Sequence, residues 1–202
     1  MSSNIDANEI YQRVMSHTGF YRDSVPTTGV TEAEDIRKNK HYLEKRIKYS
    51  AVIDTEQINA TAIYELSGSP CIYFTQLDEA NPRELAKLQK LSWNHGLAPM
   101  LWVITPDEVL LYNCYSQPTK QDENDPNRHL IDRFKTTETD LKCMNQFAGR
   151  LQIESGKFWQ WEKAKQIDRQ QRVDSVLVKD LNQAEEKLTK EKKLERRFAH
   201  AL

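Results

Sequence analysis

Glycine is scarce in this chain, with 6 in 202 residues. No G-x-G-x-x-G or G-x-x-x-x-G-K-[ST] run occurs, which excludes the two common glycine-rich phosphate cradles. H-E-x-x-H and any Ser/His/Asp arrangement are also missing. Cysteine is equally sparse: Cys71, Cys114 and Cys143 lie far apart, with no CxxC or Cys/His spacing. An odd, scattered set argues against a disulfide framework and against structural zinc. Cys71 and Cys114 fall in predicted strands and read as buried small hydrophobes. No apolar run approaches the roughly 20 residues that cross a bilayer. The opening MSSNIDANEI lacks the basic and apolar regions of a signal peptide, so the expected compartment is the cytoplasm.

What is present is a modest core with a heavily solvated surface. Hydrophobic residues make up 38% and charged residues 29%, yet four Trp, eight Tyr and six Phe need burial. The length fits one domain plus an appendage. Net charge is −1, unevenly spread: residues 156–202 hold 12 Lys/Arg against 8 Asp/Glu, and the first 155 hold 17 against 22. A bulk polycation is excluded, while a locally basic groove is compatible.

The densest apolar stretch, Ala60 to Asn113, reads as strand, turn, strand, helix, strand, hairpin, strand. Its first hairpin turns at Ser67-Gly68-Ser69-Pro70. Asn81-Pro82 starts a helix that buries Leu85, Leu88 and Leu91 and closes at Gly96. The runs CIYF and APMLWVI suggest strands covered on both faces. Upstream, a short helix from Asp6 to Ser16, a capping box Thr31/Glu34 opening a helix to about Glu44, and a strand from Ile47 to Asp54 are expected. Downstream, 116–128 is a polar loop and 129–202 a mostly helical segment, with a helix from Thr139 to Ile153 and anchors at Trp159 and Trp161. Val173, Leu177, Leu181, Leu188 and Leu194 recur at helical spacing, and the apolar ending suggests that the protein continues past Leu202. The expected architecture is α/β: a small mixed sheet with a crossover helix over 1–115, followed by a helical connector.

Candidate chemistry centres on the first hairpin. Magnesium-dependent nucleases need two or three carboxylates and a lysine that positions water. Glu65 ends the first strand, Asp78 and Glu79 lie just past the end of the second, and Glu84 or Lys87 on the helix would lean over the sheet. On this reading Glu65 and Asp78 are the metal carboxylates and Lys87 is the catalytic lysine. Arg83, Lys87 and Lys90 put three cations on one helix face, suited to phosphates or simply to solvent. His95 sits at the helix end, where it pairs with a carboxylate or with the dipole. Tyr73, Trp93, Trp102 and Tyr112 occupy core-type positions rather than a stacking platform.

The run AIYELSGSPCIYF, then LSWNHGLAPMLWVITPDEVLLYN, resembles the amino-terminal region of bacterial restriction–modification polypeptides. There a nuclease-like domain of the P-D…(D/E)-x-K type is fused to an N6-adenine DNA methyltransferase. IESGKFWQWEKAKQIDRQQRVDSVLVKDL is similar to the start of the helical connector between them. The resemblance implies a restriction-endonuclease-like fold, duplex DNA as partner, a downstream methyltransferase domain or partner subunit, and Mg²⁺ for an active site. Only Glu65 matches the family's acidic residue, because Tyr73-Phe74-Thr75-Gln76 stands where an acid–x–Lys pair is expected. The expected function is therefore a DNA-associated, nuclease-like domain with a degenerate site. The alternative is a non-catalytic docking module.

Overall fold

The computed structural model describes residues 7–21, 27–116, 125 and 127–165. The pattern from Val173 to Leu194 and most of the 116–128 loop lie outside the described residues.

Six strands form one mixed sheet in sequence order: β1 (Gly29–Glu32), β2 (Ala62–Leu66), β3 (Ser69–Gln76), β4 (Met100–Ile104), β5 (Glu108–Asn113) and β6 (Leu130–Lys135). All neighbours are antiparallel except β3 and β4, which run parallel with Ile72 opposite Met100. A parallel pair needs a crossover. It is supplied by the helix Pro82–His95, whose Asn81 side chain accepts from Arg83 N and whose C-cap, Gly96, is left-handed. The β2–β3 turn is tight because Ser67 and Gly68 both take positive φ, 53° and 79°.

Strand alternation splits the core in two. On one face Tyr64, Ile72, Phe74, Met100, Trp102 and Leu111 pack under the first helix, α1 (Ala7–His17), and under α6 (Glu138–Ala148), α7 (Arg150–Glu154) and α8 (Glu162–Lys165). On the other face Ile63, Tyr73, Leu101, Val103 and Leu110 pack under α2 (Ala33–Lys38), Tyr49, which follows α3 (Leu43–Lys48), α4 (Ser50–Ile53) and the crossover helix, here α5. The sheet is thus buried on both sides, as the CIYF and APMLWVI runs suggested. Trp159 and Trp161 pack on the first cluster, anchoring the C-terminal helices to the sheet.

Four expectations are corrected. Residues 47–53 are not a strand: α3 and α4 occupy them, with Arg37 donating to the Ile53 carbonyl and Arg46 Nε to the Ile36 carbonyl at 3.1 Å. Thr31 is not a helix cap, because it lies in β1 opposite Ile63, and α2 begins after Glu32 with no side-chain cap. The stretch after the loop does not start as helix: Leu130–Lys135 is the sixth strand, paired with β5. The predicted 139–153 helix is also broken at Gly149. A Cβ there would come within 2.6 Å of the Asn145 carbonyl oxygen, so only glycine fits the junction of α6 and α7.

Candidate functional site

Glu65 stands at the turn end of the β2–β3 hairpin, just after a register shift at Tyr64/Glu65 that leaves Cys71 unpaired beside Pro70. Its side chain points to the α3–α5 face and is 10% exposed. The Tyr49 hydroxyl donates to Oε1 at 2.7 Å, and the Lys45 ammonium lies 2.5 Å from Oε2. Lys48 Nζ approaches Oε1 at 3.6 Å. Burial works against the charged form, but hydrogen bonds from Lys45 and Tyr49 and the charges of Lys45 and Lys48 more than offset it. The carboxyl is held below its ordinary range. Lys45 also donates to Thr31 Oγ1 at 2.9 Å, and Lys48 to the Gly68 carbonyl at 3.2 Å. The group therefore ties α3 to β1, β2 and the hairpin turn.

The same face carries a second polar link. Tyr73 OH and His95 Nδ1 are 2.8 Å apart, and the ring also bonds the Lys48 backbone. His95 pairs with a hydroxyl rather than with a carboxylate. Burial lowers its pKa below the ordinary value, which disfavours the cation that a dipole contact would use.

The residues grouped with Glu65 in the sequence are not brought to it. Asp78 is exposed beyond the opposite end of β3. Pro70, opposite Glu65, and Gln76 are six strand steps apart, roughly 20 Å at about 3.3 Å each. Lys87 is exposed on α5 with Nζ 3.5 Å from the Glu56 carbonyl, in the segment leading into β2 at that far end. Glu65, Asp78 and Lys87 therefore do not share one site. Arg83, Lys87 and Lys90 are all exposed on α5, within one helix face. Among the described residues no group of three His, Cys, Asp or Glu is placed to hold a metal ion.

Sequence reasoning missed Lys45, Lys48 and Tyr49. Their spacing of i, i+3, i+4 would have placed them on one face had 43–49 been taken as helical. It also missed a cavity of about 760 Å³ at the far end of the sheet, lined by Tyr11, Tyr21, Glu32, Arg37, Thr61 and Gln76 among others. There the Tyr11 hydroxyl donates to both oxygens of Glu32, at 3.0 and 3.2 Å. Nothing in the spacing joins these positions, because the packing of α1 and α2 against β1 and the end of β3 assembles them.

No protein-family model matches the chain, and no curated protein or solved structure matches it.

Proposed function

We propose that this chain is a nuclease-like, DNA-associated domain of a restriction–modification polypeptide that binds duplex DNA in the cytoplasm without cutting it. Three antiparallel strands, a crossover helix and a parallel fourth strand support the nuclease-like part of this reading. The observation that carries the loss of cleavage is the state of Glu65. Its two oxygens face Lys45, Lys48 and the Tyr49 hydroxyl. A magnesium ion would have to enter against two ammonium charges and, among the described residues, would find no group of three His, Cys, Asp or Glu to hold it. The residues present do not fit Mg²⁺, so no hydrolytic step is assigned to them.

The exposed row Arg83, Lys87 and Lys90 supports contact with phosphates. Fluorescence anisotropy with a short duplex across a salt series tests it. Replacing all three with Gln should weaken binding and reduce the salt slope by roughly 2.7, at about 0.9 per phosphate contact. An unchanged slope would refute α5 as the contact surface. Docking of a methyltransferase domain or partner subunit is the second reading. It is favoured by Leu43 and Ile47, one turn apart on α3 and 60% and 71% exposed.

A further inference from the structure

The far-end cavity is independent of Glu65 and of the α5 cations. Its lining is mixed in a specific way. Glu32 lies half-buried at its base, where β1 ends beside Thr61, and Thr61 N bonds the Phe74 carbonyl of β3 at 2.7 Å. Both Glu32 oxygens take the Tyr11 hydroxyl, leaving lone pairs for another donor. Burial, the larger effect, raises the Glu32 carboxyl above its ordinary pKa despite the Tyr11 bond. Its remaining lone pairs suit a ligand edge that donates. Beside it, Gln76 Nε2 donates to Thr61 Oγ1 at 3.2 Å, so the Gln76 carbonyl and the Thr61 O–H can serve a ligand.

At the mouth the chemistry changes. Tyr21 is 42% exposed and stands edge-on to the Tyr11 ring at 6.3 Å, leaving ring surface for stacking. Arg37 gives one donor to the Ile53 carbonyl and has others to spare, and Lys38 lies beside it. Glu32 and Glu34 balance Arg37 and Lys38, so the lining selects neither a simple cation nor a simple anion. Among the described residues no group of three His, Cys, Asp or Glu is placed there to hold a metal ion. The volume suits a ligand of a few hundred daltons.

We infer that this cavity binds a nucleotide unit: an amino-bearing base on Glu32 and Gln76, stacked on Tyr21, with its phosphate at Arg37 and Lys38. The unit is either a free mononucleotide or the unpaired end of a strand. The proposal goes beyond the duplex contact on α5 and fails or stands separately from it.

Calorimetric titration of the full chain with AMP, adenosine, inorganic phosphate and a 5′-phosphorylated oligo-dA tests it. AMP should bind more tightly than adenosine or phosphate. Tyr21→Ala should weaken AMP about tenfold, within the range for loss of one stacked base. Glu32→Gln should weaken AMP and adenosine alike, while Arg37→Gln weakens AMP and leaves adenosine unchanged. Melting curves of each variant confirm that it is folded, and the Arg83/Lys87/Lys90 triple variant should keep full AMP affinity. Oligo-dA binding that AMP competes away marks a strand end as the source, and binding of AMP alone marks a free nucleotide. No binding of AMP or oligo-dA at millimolar concentration, or affinities unmoved by Tyr21→Ala and Glu32→Gln, overturns the proposal.

Discussion

Replacing Glu65 by Ala separates a structural carboxylate from a catalytic one. Removal strands the Tyr49 hydroxyl, whose ring is fully buried, at a cost of about 1–3 kcal/mol for a lost buried partner. Lys45 and Lys48 side chains are 29% and 34% exposed, so both can turn to water. Each lost ion pair then adds only about 0.5 kcal/mol. The total, roughly 2–4 kcal/mol, corresponds to a fall in Tm of about 4–16 °C for a chain of this size. Glu65→Gln keeps an acceptor for Tyr49 and should cost about 1 kcal/mol. The Glu65 pKa is lowered on folding, so its stabilisation is present above the unfolded value near 4.5 and is lost as pH falls through the folded value. Glu65→Gln should therefore flatten the acid limb of a stability–pH profile below about 4.5. Calorimetric melts at pH 3–7 read both effects. A carboxylate kept for metal binding behaves oppositely, since removing a strained active-site charge leaves Tm unchanged or raises it. A Glu65→Ala Tm within 2 °C of the parent, about 0.5–1 kcal/mol on the same scale, would refute the structural role of Glu65.

Two further outcomes follow from the packing. Gly149→Ala forces its Cβ within 2.6 Å of the Asn145 carbonyl oxygen and should cost about 1–3 kcal/mol by overpacking, read by urea denaturation. His95 has a folded pKa below its ordinary 6.5, so stability should decline as pH drops below that value, and His95→Gln should remove this part of the profile.

The parts of the fold legible in sequence are those where local chemistry and burial agree. The α5 boundaries follow from Asn81-Pro82 and Gly96, and β3 and β4 from continuous apolar runs. Residues 47–53 mislead because Ile47, Tyr49, Ala51 and Ile53 alternate like a strand. In the structure Ile47 is exposed on α3, while Tyr49 is buried to reach Glu65. Helices as short as α3 and α4 take their form from tertiary contacts such as those of Arg37 and Arg46, not from propensity. The sixth strand is hidden for another reason. A register shift between Leu111 and Tyr112 puts Ile131 and Phe134, three apart, on the same face, which imitates a helical period. At the candidate site the acidic residue was visible, but its lysine and tyrosine partners were concealed by the misread helix. Asp78 and Lys87 looked close only because sequence distance hides the length of β3.

The role of Glu65 as a structural rather than a catalytic carboxylate is tested most directly on supercoiled plasmid. Purified protein with Mg²⁺ or Mn²⁺ should bind the plasmid in a salt-dependent way and leave it intact, with Glu65→Ala no different in cleavage. Nicking or linearisation by the parent protein that Glu65→Ala abolishes, with the variant still folded, would contradict it.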